Sequence, residues 1–338
     1  MAELSVILIS KNQEWNVDRL IRSVLDETSD ITDREVVLVD SASTDRTVDV
    51  ASAYPITILR LHADQHLSAA AGRYIGYKNT SGGLVLFLDG DMELCSGWLR
   101  RAMAVMDRRT DVAVVSGSWL DLPRDAQRDN KDHSGFSPTS EEEEDVRSVG
   151  GAGMFRRTVL EQVGPFNPFL YSDEEPELCL RIRHAGYRVI KLWYPISYHY
   201  SDPAFAISTL VKRRRRNLWL GMGQSMRYHL GTDLFWPYVK ERGYGCAPAI
   251  AATIGSILVL ILVFTGRGLW AGLCLLGLVS AIVAGALRRR SLYALFYSIV
   301  HRLMIADGTV RGSLITPRDP SSYLGRFDVV RASGSRGY

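Results

Sequence analysis

The octapeptide Leu84-Val85-Leu86-Phe87-Leu88-Asp89-Gly90-Asp91 decides the fold of this chain. Its first five residues form an unbroken apolar run, which predicts a strand covered on both faces, as in a parallel sheet. The two aspartates then follow the carboxyl end of the strand, where ligands bind in open α/β sheets. Paired carboxylates can hold a hard divalent cation and leave coordination positions for phosphate oxygens. Turns after strands also favour Asp and Gly, so the tripeptide alone is equally consistent with an ordinary turn.

The flanking sequence alternates further apolar runs with helix-periodic segments. The runs lie at 5–9, 36–39, 56–59 and 112–115, and the helical patterns at 15–25, 46–53, 68–79 and 97–106. This alternation predicts an α/β fold with a mainly parallel sheet. Residues 123–146 lack periodicity and are predicted to form a surface loop. A helix over 176–185 is predicted to end at Gly186.

Composition excludes several classes of protein. Forty Lys and Arg against 37 Asp and Glu leave a net charge of +3, which argues against a nucleic-acid binder. Hydrophobic residues at 46% and charged residues at 23% are typical of a globular protein rather than a collagenous or disordered one. The four cysteines show no Cys-x-x-Cys spacing, so neither a zinc site nor a disulfide framework is indicated.

Two uncharged stretches, at 245–264 and 269–287, distinguish the second half of the chain. Each has about the ~20 residues that a helix needs to cross a bilayer. Two buried helices of a soluble core are the alternative, but neither stretch has a polar face to turn towards water. Basic residues stand outside both stretches, at Lys240, Arg242 and 288–290. The positive-inside tendency therefore predicts an integral membrane protein with both ends and the large N-terminal part in the cytoplasm.

Four segments are therefore expected along the chain. They are a domain at 1–203, a basic interfacial helical segment at 204–244, two transmembrane helices at 245–287, and a juxtamembrane amphipathic helix with a flexible tail at 288–338. The basic segment contains Lys212-Arg213-Arg214-Arg215-Arg216. Beside a cytoplasmic leaflet such a run attracts anionic headgroups of membrane lipids. A diphosphate of a bound substrate is the alternative partner.

A second acidic position follows an earlier predicted strand. Asp40 comes directly after the apolar run 36–39, so we expect it at the same edge of the sheet as Asp89. A carboxylate at a strand end suits hydrogen bonding to a ribose or a base. Asp45, a little further on, has an ordinary alternative role as a helix cap.

In their order, these elements resemble the family 2 glycosyltransferases of the GT-A fold. The matching stretches are 5–12, 37–45, 68–76, 86–91, 151–157, 163–166 and 174–181. An ordered set of this kind is more specific than any single motif. The resemblance implies a nucleotide-sugar donor and a bound Mn²⁺ or Mg²⁺ on its diphosphate.

The resemblance also implies roles for single residues at the strand ends. Ser10 and Asp40 are expected to face the nucleoside, and Asp89 the ribose or the metal. Asp91 is expected to be the main metal ligand, with His199 as a further one, because a neutral imidazole can complete such a site. A packing role beside two tyrosines is the equal alternative for His199.

Arg73 falls on the family's Ala-Arg-Asn element and is expected to reach the nucleotide. Tyr74 replaces the usual Asn, so a surface helix charge is the alternative for Arg73. The family often has Pro where this chain has Ile9 and an aromatic residue where it has Lys11. These departures leave recognition of the base open.

Glu174 and Glu175 occupy the place of the family's acidic pair. The resemblance makes Glu175 the general base on the acceptor hydroxyl, with Glu174 beside it either orienting the acceptor or serving as the base in its place. It also gives Asp173 and Gly151 to the acceptor or donor-sugar pocket. Pro176 suits a first helical turn, so both glutamates should lie near a helix N-terminus that favours their ionised form. Acidic residues are also common at helix starts for stability alone.

Together these features predict an inverting, metal-dependent glycosyltransferase. It would move a sugar from a nucleotide sugar to a hydroxyl of a lipid-linked saccharide at the cytoplasmic membrane face. A polyprenyl phosphate acceptor is the first alternative, and it would need no base because phosphate is already ionised. A sugar-phosphate nucleotidyltransferase and an inactive membrane scaffold are the others. No nucleic-acid partner is expected.

Overall fold

The computed structural model describes residues 3–126, 143–201, 206–289 and 291–332, without the side chains at 248–250, 278–279 and 281–289. The chain divides into two compact units. Unit 1 comprises Met1–Asp202 and Arg318–Tyr338, and unit 2 comprises Pro203–Pro317.

Unit 1 is built from ten strands and six helices within the described ranges. The strands are β1 Leu4–Ser10, β2 Arg34–Asp40, β3 Thr57–Leu61, β4 Leu84–Asp89, β5 Met92–Leu94, β6 Val112–Pro123, β7 Glu143–Asp145, β8 Ala152–Arg156, β9 Arg188–Ser201 and β10 Phe327–Arg331. The helices are α1 Val17–Glu27, α2 Thr47–Ala51, α3 Ala69–Lys78, α4 Trp98–Arg108, α5 Arg157–Val163 and α6 Glu174–His184.

One sheet joins all the strands in the order β10-β3-β2-β1-β4-β8-β6-β9-β5, and β7 pairs with β9. Strands β1 to β4 pair in parallel. Strand β8 runs antiparallel to both of its neighbours, β4 and β6, and β10 runs antiparallel to β3. The predicted α/β class is confirmed. The sheet is mixed because β8 and β10 run antiparallel to the strands beside them.

Burial on both faces explains the unbroken apolar character of the central strands. On β1, Leu4, Val6 and Leu8 belong to one buried cluster together with residues of α1 and α4. Ile7 and Ile9 belong to a second cluster together with residues of α3 and α6. Successive side chains of a strand point to opposite faces, so helices cover the sheet on both sides.

The predicted loop at 123–146 is partly wrong. Strand β6 extends to Pro123, and Glu143–Asp145 form β7. Arg188 lies 2.7 Å from Asp145 and so ties β7 to β9. Residues 127–142 lie outside the described residues.

Unit 2 is helical throughout its described part. Its helices are α7 Ile207–Arg215, α8 Gly221–Tyr228, α9 Phe235–Arg242, α10 Ala247–Phe264, α11 Gly268–Arg289 and α12 Leu292–Ser313. Helices α8 and α12 approach closely through glycines. A Cβ atom at Gly223 would lie 2.0 Å from the carbonyl oxygen of Thr309, and one at Gly312 would lie 2.1 Å from that of Leu220. A larger residue at either position would force the two helices apart.

The two predicted transmembrane helices are not supported. Over the described residues, no helix combines the length and the apolar character that crossing a membrane requires. Residues 245–264 and 269–287 instead fall largely within α10 and α11. Several side chains of both stretches lie outside the described set.

The predicted flexible tail is wrong for residues 318–331, because these residues pack against unit 1's own core. Strand β10 pairs with β3 at the edge of the sheet. Tyr323 is 8% exposed, and its hydroxyl donates to the carbonyl oxygen of His66 over 2.7 Å. Its ring packs edge-on against Tyr74 and Phe169, with centroid distances of 6.1 and 5.5 Å. Residues 333–338 of the predicted tail lie outside the described residues.

Tyr323→Ala is expected to lower the free energy of unfolding of unit 1 by about 3 kcal/mol, because it removes a buried aromatic side chain and leaves a cavity. Urea denaturation followed by tryptophan fluorescence measures this change. Leu324→Ala is the matched control, since Leu324 is 90% exposed and its truncation should cost no more than about 0.5 kcal/mol. Equal losses in the two variants would contradict the docked position of this segment.

Candidate active site

The parallel register brings the ends of the first strands to one edge of the sheet. Ser10 pairs with Asp40 across β1 and β2, and Ile9 pairs with Asp89 across β1 and β4. The predicted nucleoside residues Ser10 and Asp40 therefore lie side by side. Asp89 lies on the other side of β1.

Asp40 is fully buried, and its carboxylate stabilises the turn that follows β2. Its carboxylate accepts hydrogen bonds from the backbone N–H of Ser43, over 2.9 Å, and from the Ser43 hydroxyl. The Nε of Arg60 lies 3.8 Å away. Burial raises the pKa of the Asp40 carboxyl, against the lowering effect of these hydrogen bonds. The buried hydroxyl of Ser10 has no partner among the described residues, so it is free to meet a ligand.

Arg73 lies at the centre of the acidic residues. Helix α3 begins at the Ser68 cap and carries Arg73 into the core, where its side chain is 1% exposed. One guanidinium nitrogen lies 2.7 Å from Asp89 and 2.9 Å from Glu175, and the other lies 2.6 Å from Glu174. The alternative of a surface helix charge is wrong, since the group is buried. Contact of Arg73 with the nucleotide stays a prediction.

The electrostatics of this cluster are those of one cation shared by three carboxylates. Burial, and then the neighbouring Glu175, raise the pKa of Glu174 to about 8. Burial also raises the pKa of Asp89 although Arg73 opposes it. For Arg73, burial disfavours the charged form, but the three carboxylates more than offset it and raise its pKa. The cluster therefore has an excess of negative charge that a proton on Glu174 or a nearby cation can offset.

Asp91 and His199 form a second pair beside this cluster. The Nε2 atom of His199 lies 3.8 Å from a carboxylate oxygen of Asp91, and its Nδ1 atom lies 2.7 Å from Asp121. The nearby carboxylate of Asp91, together with the hydrogen bond to Asp121, raises the pKa of His199 to about 9. Of the predicted metal ligands, the structure thus pairs Asp91 with His199, while Asp89 binds Arg73.

The donor set fits a divalent cation that is held partly by substrate. The other carboxylate oxygen of Asp91, Oδ1, is buried and has no hydrogen-bond partner among the described residues. A carboxylate oxygen and an imidazole nitrogen are both suitable ligands. Within the described ranges, no group of three or more His, Cys, Asp or Glu side chains is arranged to hold a metal. Asp91 and His199 could therefore hold one with phosphate oxygens completing its coordination.

The glycine-rich segment and the start of α6 complete the cleft. A Cβ atom at Gly151 would lie 1.9 Å from a carboxylate oxygen of Asp89, so only glycine lets the chain pass there. Asp173 adopts a left-handed conformation, with φ of 65°, directly before α6. Glu174 is buried, whereas the Glu175 side chain retains 15% exposure. Glu175 is therefore the member of the pair with access to a bound molecule.

Two residues near His199 were missed in the sequence. Trp119 lies with its ring 5.5 Å from that of His199, and Asp121 bonds to the imidazole. Both are on β6, which pairs with β9 so that Asp121 stands opposite His199. Their spacing of two was the available signal, since residues i and i+2 share one face of a strand.

The raised pKa of Glu174 predicts a pH-dependent stability. Between the ordinary value of 4.5 and about 8, the folded protein keeps a proton that the unfolded chain releases. Stability is therefore present at low pH and lost as the pH rises through this window. Glu174→Gln, which stays neutral, should reduce that loss by roughly 2 kcal/mol between pH 5.5 and 7.5.

Urea denaturation at these two pH values, with a chelator present, measures the effect. Glu161→Gln is the matched control, because Glu161 is exposed on α5, and it should keep the wild-type slope. A Glu174→Gln slope equal to the wild-type slope would contradict the protonated state of Glu174.

Comparison with known proteins agrees with this architecture. A sequence profile of the glycosyl transferase family 2 matches residues 5–164. Glycosyltransferase AglE of Haloferax volcanii is 28% identical over 227 residues, which are 65% of this chain and 72% of AglE.

Two solved structures share the fold. Mannosyltransferase PcManGT from Pyrobaculum calidifontis, in complex with GDP-Man and Mn²⁺, aligns with a TM-score of 0.60 and 18% identity, over 91% of this chain and 87% of that one. Staphylococcus aureus TarS 1–349, in complex with UDP-GlcNAc, aligns with a TM-score of 0.53 and 17% identity, over 99% and 98%. The chain is thus a glycosyltransferase with the GT-A fold, and it is similar to family 2 over residues 5–164.

Proposed function

We propose that this enzyme transfers a sugar, with inversion, from a nucleotide-sugar donor to a hydroxyl of a lipid-linked saccharide at the cytoplasmic face of a membrane. The family assignment favours glycosyl transfer over the nucleotidyltransferase and scaffold alternatives. The GDP-Man of PcManGT and the UDP-GlcNAc of TarS support a nucleotide sugar as the donor.

The observation that carries this proposal is the bridge between two distant carboxylates. Asp89 at the end of β4 and Glu175 at the start of α6 both bind one guanidinium nitrogen of Arg73, over 2.7 and 2.9 Å. The acid that we expect to face the donor and the acid that we expect to face the acceptor therefore lie in one cleft. A single displacement needs both reactants held in such proximity.

On the donor side, Ser10 and Asp40 would bind the nucleoside. Asp91 and His199 would hold the Mn²⁺ or Mg²⁺, and Asp89 would be a further acid near it. A bound divalent cation supplies charge stabilisation for the departing nucleoside diphosphate. The Mn²⁺ in PcManGT supports this choice of cofactor.

On the acceptor side, Glu175 would take the proton of the attacking hydroxyl. The first turn of α6 holds its partly exposed carboxylate at the cleft. Glu174, held by Arg73 at 2.6 Å, would fix the position of the pair. Asp173 and Gly151 would border the acceptor or donor sugar. The oxygen of the acceptor then attacks the anomeric carbon on the face opposite the leaving group.

A lipid-linked acceptor is supported by the surface of unit 2. Exposed apolar patches of this extent mark sites that contact membranes or proteins. Helices α10 and α11 expose Ile254, Ile257, Leu258, Leu260, Ile261, Val263, Phe264, Leu269, Trp270, Leu273, Leu275 and Leu276. The run at 212–216 adds basic side chains, of which Lys212, Arg213, Arg215 and Arg216 are exposed. We propose that this apolar surface contacts lipid and that the basic run binds anionic headgroups.

Two substitutions separate donor binding from proton removal. Asp91→Asn should weaken Mn²⁺-dependent binding of GDP-mannose or UDP-N-acetylglucosamine at least ~10-fold, because it removes a charged metal ligand. Glu175→Gln should lower kcat about 10²–10⁴-fold and leave donor binding intact, because it removes the general base. Thermal shift with Mn²⁺ and each donor measures binding, and transfer to membrane lipid extract measures activity.

Asp26→Asn, an exposed change on α1, is the control and should alter neither property. Equal loss of donor binding in both site variants would overturn this division of roles. Full activity of Glu175→Gln would instead indicate a phosphate acceptor, which needs no base.

Membrane association should depend on the basic run. Arg215→Gln with Arg216→Gln should weaken binding to vesicles that contain phosphatidylserine, since each basic side chain near such a surface contributes about 1 kcal/mol. Vesicle flotation at low and high salt measures this. Binding to purely zwitterionic vesicles should change little, and an equal loss on both kinds of vesicle would contradict the electrostatic role.

A further inference from the structure

A cavity of about 380 Å³ adjoins the acidic cleft in unit 1. Its volume lies within the range of about 300–1,000 Å³ that small-molecule sites occupy. Strand β6, the segment before β8 and strand β9 form its walls. The residues that line it include Ser118, Trp119, Ser148, Gly150 and Lys191.

Trp119 separates this cavity from the proposed metal site. Its indole ring lies 5.5 Å from the ring of His199, which in turn lies 3.8 Å from Asp91. Trp119 is 38% exposed and follows the buried part of β6 at 112–117. A large aromatic ring left open beside a polar cleft is a typical contact surface for a ligand.

Two adjacent glycines make room for this arrangement. A Cβ atom at Gly150 would lie 2.2 Å from the Trp119 ring, and one at Gly151 would lie 1.9 Å from Asp89. The same short segment therefore passes the indole on one side and the strand-end acid on the other. A molecule in the cavity would therefore contact Gly150 and lie close to Asp89, which Gly151 adjoins.

The charge of the lining favours a neutral ligand. The Lys191 ammonium is paired with Glu144 at 3.4 Å, so it offers little net charge to a phosphate. Ser118 and Ser148 contribute hydroxyl groups beside the indole. A pyranose ring fits such a wall, because its C–H face packs against the partly negative indole face and its hydroxyls meet polar groups at the edge.

We infer that this cavity binds a saccharide unit of the acceptor, with its ring stacked on Trp119. The inference rests on the proposed function and narrows it to a sugar-bearing acceptor. Among the described residues that line the cavity, neither Asp40 nor Asp91 appears. A donor held at those residues would leave the cavity free for the second substrate.

The test compares Trp119→Ala with Trp119→Phe and with Trp193→Ala, a 52% exposed tryptophan of β9 that does not line the cavity. The acceptors are a short polyprenyl diphosphate bearing one N-acetylglucosamine and the same polyprenyl phosphate without sugar. Trp119→Ala should raise KM for the sugar-bearing acceptor about tenfold and change donor KM less than twofold. Trp119→Phe should recover most of the affinity, and Trp193→Ala should behave as wild type.

An unchanged KM for the sugar-bearing acceptor in Trp119→Ala would overturn the inference. A rise in donor KM equal to that of the acceptor would also overturn it, because the ring would then serve the donor. Preference of the wild type for the sugar-free phosphate would do the same.

A binding measurement keeps the inference testable if the proposed function fails. Saturation-transfer NMR with chitotetraose and mannotetraose should detect contact in wild type and Trp193→Ala, and lose it in Trp119→Ala. Such binding by a protein inactive with every donor would overturn the proposed function and support the cavity. Equal signals in the two tryptophan variants, or none in the wild type, would overturn the cavity assignment.

Discussion

The buried guanidinium of Arg73 is the group on which the active site depends. Removing such a charge from water is costly unless opposite charges and hydrogen bonds surround it. Asp89, Glu174 and Glu175 supply them within 2.9 Å. Three elements distant in sequence, α3, β4 and α6, are thereby held at one point. Loss of any carboxylate weakens the compensation for the cation, so the cluster acts as a unit.

The packing behind Arg73 extends this constraint. Tyr74, the next residue of α3, contacts Tyr323 of the C-terminal segment, which also contacts Phe169 ahead of the acidic pair. The presence of tyrosine where the family has asparagine is thus explained by a partner about 250 residues away in the chain. The C-terminal segment therefore supports the helix that carries Arg73 and the loop that leads to Glu174.

Local sequence patterns were sufficient to predict the strands and helices whose burial and ends depend on neighbouring residues. The strand before Asp89 was predictable because a strand buried on both faces has a continuous apolar run. The end of α6 was predictable because Gly186 suits the left-handed conformation that ends a helix. Strand β10 was not, since Phe327–Arg331 lacks regular alternation and forms a short edge strand whose partner is β3. Likewise, Trp119 became part of the site only through the register of β6 with β9. Contacts between segments distant in sequence determine where β10 and Trp119 lie, and the periodicity of the local sequence does not indicate such contacts.

The environment of Arg73, whose contact with the nucleotide stays a prediction, determines the electrostatics of donor binding. A guanidinium already shared by three carboxylates has little charge left to offer a diphosphate. The diphosphate itself adds negative charge to a cleft that has an excess of it. Compensation must then come from a cation bound at Asp91 and His199. Donor binding without a divalent cation would bring like charges together in a poorly solvated cleft. Because Arg73 is already paired with the three carboxylates, we expect binding of the divalent cation and binding of the nucleotide-sugar donor to depend on each other.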